Sequence, residues 1–221
     1  FLGRRMLDVL PPPVAAQFRW AIDRILSRET RVDLEYVLPM PDGEQTYEAR
    51  LLPLLQTQII AVIRNITKRK RAENELRQAE EKYRSIFENA TEGIFQSSPA
   101  GNYISANPAL ASIYGYDSPQ DLQYHLTDIA RQLYVTPERR QQFVHSILEQ
   151  GQVTDFESQV YRKDGSVIWI SENARAVRDP QGNILYFEGT VEDISARKQA
   201  ELTIHYQAFH DLLTGLPNRA L

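Results

Sequence analysis

The residue types able to do chemistry are few in this chain, and they are scattered. Its four histidines, His125, His145, His205 and His210, do not group at metal-ligand spacing, and no serine has a partnered histidine for nucleophilic catalysis. Cysteine is absent, which excludes disulfides, thiolate metal sites and cysteine nucleophiles together. The acidic residues are spread along strand-like and linker segments instead of being paired. The stretch "GNYISANPAL" (101–110) reads as a turn, a strand and a capped helix, with Asn107 as the cap, and not as a phosphate loop. No catalytic or metal-binding residue is assigned, and the visible chain is not read as an enzyme. One dense motif stands at the far end, "HDLLTGLPNRAL" (210–221). There Thr214, Gly215, Pro217 and Asn218 make a turn signature flanked by Leu212, Leu213 and Leu216.

The totals describe what must position such residues. With 221 residues the chain has room for one or two domains, and 42% hydrophobic and 24% charged residues suit a water-soluble globular protein. A formal net charge of −4, with no basic patch interleaved with aromatics, argues against nucleic acid as a partner. No run approaches the apolar length of a membrane span, and the start has no signal-peptide organisation. The expectation is a cytoplasmic fragment, whose full-length parent could still be anchored upstream of Phe1.

An internal repeat organises the chain. "VDLEYVLPMPDGEQTYEARL" from Val32 aligns with "TDFESQVYRKDGSVIWISEN" from Thr154, pairing Asp33 with Asp155, Glu35 with Glu157, Asp42-Gly43 with Asp164-Gly165 and Tyr47 with Trp169. Further on, "RNITKRKRAENEL" from Arg64 aligns with "EDISARKQAELTI" from Glu192, at an offset larger by six. In the second copy, Asp-Gly between two strand-like runs predicts a hairpin, "RDPQGN" a second turn and "ILYFEGTVEDI" a third strand. "EGIFQSSPAGNYISAN" supplies two short strands upstream. Between the two sets lie helices, one capped by Asn107 with Pro108, the other by Thr136 with Pro137 and stopped by Gly151. Two strands, helices and three strands make an α+β layout with a five-stranded antiparallel sheet.

Helical segments follow both copies. Ala72, Leu76, Ala79, Tyr83, Ile86 and Ala90 recur at alternating spacings of four and three, a heptad seam, although Tyr83 to Ala90 alone reads equally well as the face of a helix lying on its own domain. Leu202, Tyr206, Phe209 and Leu213 form a similar stripe after the second copy. The seams predict coiled-coil-like linkers and a homodimer.

The second copy resembles a PAS domain with its C-terminal PAC segment. The resemblance is carried by "YRSIFENATEGIF", "GNYISANPALASIYGY", "FESQVYRKDGSVIWISENARAVRDPQGNILYFEGTVEDIS" and the exit Asp193-Ile194-Ser195. Residues 1–67 look like the back half of another PAS domain, departing from the pattern at Asn65, where the exit motif is usually acidic. Residues 211–221 resemble the beginning of a GGDEF domain, the diguanylate cyclase family, with Asp211, Leu213, Thr214, Gly215, Leu216, Pro217, Asn218 and Arg219 matching in turn. The implied organisation is a truncated first PAS domain (1–67), a helical linker (68–82), a complete PAS domain (83–196), a signalling helix (197–210) and the start of a cyclase domain (211–221), in a fragment cut at both ends.

The resemblance also carries site expectations. Asp193, Ile194 and Ser195, with Asp211, Asn218 and Arg219, would transmit signal to a domain making cyclic di-GMP from two GTP. A cavity between sheet and helices, lined by Phe87, Phe95, Asn107, Tyr114, Phe143 and Trp169, would hold a small molecule. A cysteine–flavin adduct is excluded. Haem is disfavoured, because His145 stands more than a turn from where haem-binding relatives carry their ligand and this chain reads Arg139-Arg140 there. Non-covalent flavin or a small acid stays open, beside the plainer reading that the aromatics are simply core. Two alternatives stand beside cyclase regulation, a ligand-free interaction and dimerisation module and the input region of a histidine kinase.

Overall fold

The computed structural model describes residues 5–55 and 58–209 and divides into two compact units, Phe1–Lys82 and Tyr83–Leu221. The first begins with α1 (Met6–Val9) and α2 (Pro12–Leu26), whose opening prolines need no backbone donors in the first turn. Val14, Phe18, Ala21 and Ile25 recur at helical spacing, and this stripe buries against an antiparallel sheet of β1 (Val32–Met40), β2 (Gly43–Leu55) and β3 (Gln58–Asn65). Phe18 meets Tyr36 edge-on at 5.1 Å. Among the described residues β3 pairs only with β2, and Ile63 on it is 47% exposed.

Helix α3 (Thr67–Asn89) follows, a single 23-residue helix with no buried residue, whose Leu76, Tyr83 and Ile86 are exposed.

The second unit is an α+β fold with sheet order β5-β4-β8-β7-β6. The sheet comprises β4 (Gly93–Ser97), β5 (Tyr103–Ala106), β6 (Gln152–Tyr161), β7 (Val167–Arg178) and β8 (Ile184–Asp193). Every pairing is antiparallel, so the first two strands and the last three form one surface. The helices α4 (Pro108–Ile113), α5 (Pro119–His125), α6 (Ile129–Gln132) and α7 (Pro137–Gln150) fill the interval between β5 and β6. The short helices α5 and α6 are additions to the sequence reading. Each has a side-chain cap, Ser118 accepting the Asp121 N–H and Asp128 accepting the Arg131 N–H. Thr136 departs from expectation, since α7 starts after it without a capping bond from its hydroxyl.

The hydrophobic core of this unit gathers Phe95, Leu110, Tyr114, Leu122, Leu133, Phe143, Ile170 and Phe187. Each buried large apolar side chain contributes about 1.5–3 kcal/mol relative to exposure. Two backbones approach closely at Gly189, where a Cβ would lie 2.1 Å from the Asn173 carbonyl oxygen, so only glycine fits. Helix α8 (Ser195–Phe209) leaves the end of β8, with Leu202, Ile204 and Tyr206 exposed.

Both hairpins use the expected Asp-Gly pair, with Gly43 and Gly165 at positive φ. The turns nevertheless differ in length. Pro39 stands opposite Glu44 with four residues between them, whereas the equivalent Tyr161 stands opposite Val167 with five. This inserted residue moves the repeat alignment by one on the return strand. Trp169 corresponds to Thr46, because Ile66 N–H donates to the Thr46 carbonyl and Ile194 N–H donates to that of Trp169, both at 2.9 Å. The sequence pairing of Tyr47 with Trp169 is corrected accordingly.

Candidate functional site

The expected exit motif lies where β8 becomes α8. Ile194 is buried, its N–H bonded to β7 and its carbonyl accepting the first helical bond from Lys198 N–H at 2.9 Å. Ser195 Oγ accepts the Trp169 N–H at 3.0 Å, so two backbone groups of β7 hold the helix start. The Asp193 carboxylate works in two directions. Oδ1 accepts the Ser195 N–H at 2.9 Å, which satisfies a free donor of the first turn. Oδ2 accepts from the Arg162 guanidinium at 2.8 Å, and Arg162 Nε–H donates to the Ile113 carbonyl at the end of α4, 3.0 Å away. One side chain thus links the exit helix, the β6–β7 turn and the helical layer.

The first turn of α8 is also bound electrostatically. Glu157 on β6 accepts from Arg197 at 3.0 Å and Lys198 at 2.5 Å, and Lys198 Nζ stands 5.5 Å above the Trp169 ring. The Lys198 hydrogen bond holds the Glu157 carboxyl below its usual range, and Glu157 raises the Lys198 ammonium in return.

The expected cavity residues separate into three groups. Phe95, Tyr114 and Phe143 come together in the core. Asn107 is fully buried but spent on structure, accepting from Leu110 N–H and Ile94 N–H and donating to the Glu92 carbonyl. Phe87 and Trp169 are elsewhere. Phe87 stacks on Tyr83 at 5.8 Å over a groove of about 420 Å³ that Gln96, Asn173, Glu188 and Thr190 also line. Trp169 falls between the inward-facing Ile168 and Ile170, so strand alternation turns it outward, under Lys198. Asp211, Asn218 and Arg219 lie outside the described residues.

Next to Phe95 and Phe143 the structure places polar residues that the sequence reading passed over. Glu172, 2% exposed on the inner face of β7, accepts the Tyr134 hydroxyl. Burial pushes its carboxyl up to about 7, against the opposing pull of Tyr134, Arg140 and Arg139. Tyr103 and Tyr114 feel the same carboxyl, and burial drives both phenols upward. Alternation through Ile168, Ile170, Glu172 and Ala174 was the signal that could have found Glu172.

Residues 91–196 match the family described as "PAS domain", and residues 1–71 match the one described as "PAS fold". The fold is PAS. The chain is 34% identical to Sporulation kinase E of Bacillus subtilis (strain 168) over 76 residues, which are 34% of this chain and 10% of that protein. It is 25% identical to Probable diguanylate cyclase DgcE of Escherichia coli (strain K12) over 155 residues, 68% of this chain and 13% of that one. The chain spans from about a tenth to about a quarter of the length of the curated relatives it matches. A solved PAS domain from Colwellia psychrerythraea is 20% identical with a TM-score of 0.45, covering 54% of this chain and 99% of that one. The two PAS matches and these relatives support a sensory role in signal transduction. No helix among the described residues is long and apolar enough to cross a membrane.

Proposed function

We propose that this chain is the sensory and dimerisation region of a multidomain protein, and that its second PAS domain regulates a diguanylate cyclase domain following α8. The observation that carries the reading is the Asp193 junction, which binds the last strand of the sheet to the first turn of the exit helix and, through Arg162, to α4. A ligand or partner that favours one arrangement of sheet and helical layer shifts the population of that arrangement by its differential affinity. The shift reaches α8 through Asp193, Ile194 and Ser195. The exposed apolar residues of α3 and α8 provide seams for pairing with a second copy, and a change in helix crossing then brings two cyclase half-sites together or parts them. Cyclase output is favoured by "DLLTGLPNR" (211–219) and by the likeness to Probable diguanylate cyclase DgcE.

Residues 1–67 are the C-terminal part of a first PAS domain on this reading. The exposed Ile63 supports it, since the equivalent Val191 of β8 is fully buried where β4 and the helical layer cover it. The likeness to Sporulation kinase E favours a second reading, a kinase output through the same junction.

The test is cyclic di-GMP synthesis by the full-length protein carrying Asp193→Ala. Altered output from a folded variant is expected, and an unchanged rate and unchanged response refute the coupling. Phosphotransfer to a histidine with no cyclic di-GMP selects the kinase reading.

A further inference from the structure

Arg140 on α7 is a nearly buried cation. It is 6% exposed, yet among the described residues its guanidinium makes no hydrogen bond and has no carboxylate within 4.0 Å. Its close neighbours are the Phe143 and Phe187 rings, at 4.9 Å and 6.0 Å. Burying a cation without an anion is costly, and stacking on aromatic faces offsets only part of that cost. The same residue lines a groove of about 350 Å³ between the β4–β5 turn, α6 and α7, together with Pro99, Ala130, Val144 and Leu148. This volume is within the range of small-molecule sites. Arg140 therefore belongs to both the groove and the buried cluster, where its charge acts on Glu172, Tyr103 and Tyr134.

We propose that the groove binds a small monocarboxylate with a short apolar tail, its carboxylate seated on the free guanidinium of Arg140 and its tail on Val144 and Leu148. A planar guanidinium offers a carboxylate two parallel hydrogen bonds. The lining limits the charge of the guest. Asp128, also on the groove, already accepts the Arg131 N–H and repels a second negative charge, which selects against inorganic phosphate. His145 on the rim is paired with Glu149 at 3.1 Å.

Proton linkage follows from the position of Glu172. Its carboxyl faces Tyr134, Tyr103 on β5, Tyr114 at the end of α4, and Arg139 and Arg140 on α7. A guest anion neutralises the arginine charge that helps keep Glu172 ionised, so the carboxyl binds its proton more tightly when the site is filled. Affinity then falls as pH rises through the neutral range.

As an input signal this site rests on the sensory reading above, while as a binding site it stands without it. The test is calorimetric titration of the chain with hexanoate, acetate, hexanol and inorganic phosphate. Hexanoate should bind saturably at millimolar concentrations, at least about tenfold more tightly than hexanol, and more tightly than acetate. Arg140→Met should lose that preference, and Arg140→Lys, which keeps the charge but not the fork, should weaken hexanoate binding severalfold and decides the matter if the methionine variant fails to fold. Raising the pH from about 6 to about 8 should weaken hexanoate binding severalfold in the native chain and leave Glu172→Gln unmoved. No saturable binding, hexanol matching hexanoate, phosphate binding more tightly than hexanoate, or a folded Arg140 variant with native affinity would each overturn the proposal. Binding without any change in output of the full-length protein removes the sensory reading and keeps the site. Absent binding, with output still altered by Asp193→Ala, does the reverse.

Discussion

The two exit junctions use the same scaffold, and the difference that reaches beyond the sheet is Asn65 against Asp193. In the first unit Ile66 is buried, Thr67 Oγ1 accepts the Thr46 N–H at 2.9 Å, and Lys70 binds Glu35 at 2.8 Å. In the second, Ile194, Ser195, Trp169, Lys198 and Glu157 do the same work. Asn65 accepts from Thr67 N–H at 3.0 Å and spends its amide N–H on Gln45, inside its own sheet. Asp193 makes the corresponding helix cap but also takes the Arg162 guanidinium, which reaches the helical layer. The shared bonds position an exit helix, and the carboxylate adds a connection to what lies across the sheet.

The largest effect should come from the shared part. Ile66→Ala and Ile194→Ala should each cost about 2–4 kcal/mol in their own unit, by loss of a buried side chain and the cavity left behind. Each unit carries one tryptophan, Trp20 and Trp169, so Trp169→Phe and Trp20→Phe backgrounds allow the units to be followed separately by fluorescence in urea. A large cost in only one unit would break the equivalence of the two junctions.

A second contrast is in pH dependence. The buried polar residues among those described, Glu172 and Arg140 included, all belong to the second unit. The folded Glu172 carboxyl, at about 7, lies above its ordinary 4.5, so its contribution is fully present below about pH 4.5 and is lost as pH rises to about 7. The second unit should lose roughly 3 kcal/mol over that window through this group. Glu172→Gln should flatten the loss, while the first unit shows no counterpart to it. Denaturant titrations at several pH values, read at Trp169, check the sign.

Smaller differences isolate the substituted position. Asp193→Ala should cost about 2 kcal/mol, through a lost cap and a stranded Arg162, and Asn65→Ala about 1 kcal/mol, through the cap and an exposed bond to Gln45. Smallest of all, Asn65→Asp should shift stability by less than about 0.5 kcal/mol, because the Arg162 partner of Asp193 has no counterpart among Asn65's bonds. Urea midpoints in the same tryptophan backgrounds rank these variants.

Local chemistry was legible in the sequence, and tertiary placement was less so. The Asp-Gly turns, the Asn107-Pro108 cap, the three-stranded meander and the exit motif are each specified within a few residues, and all appear in the structure. The resemblance sets Trp169 in the cavity between sheet and helices, whereas the parity set by Ile168 and Ile170 turns it outward. The same parity points Glu172 inward, so that part of the buried cluster was readable. Arg140 and Tyr134 were not, since their burial depends on how α6 and α7 dock on the sheet, which no local pattern encodes. Helices α5 and α6 are too short for a periodic signal, with only their caps to announce them.

Backbone hydrogen exchange in the first turns of α8 and α3 tests the coupling most directly, comparing the native chain with Asp193→Ala and Asn65→Ala. Asp193→Ala should speed exchange at Ser195–Lys198 by at least about tenfold and also loosen the end of α4 at Ile113 and Tyr114, while Asn65→Ala should loosen only Thr67–Lys70. Native protection around Ile113 in a folded Asp193→Ala chain would contradict the claim that this carboxylate joins the exit helix to the helical layer.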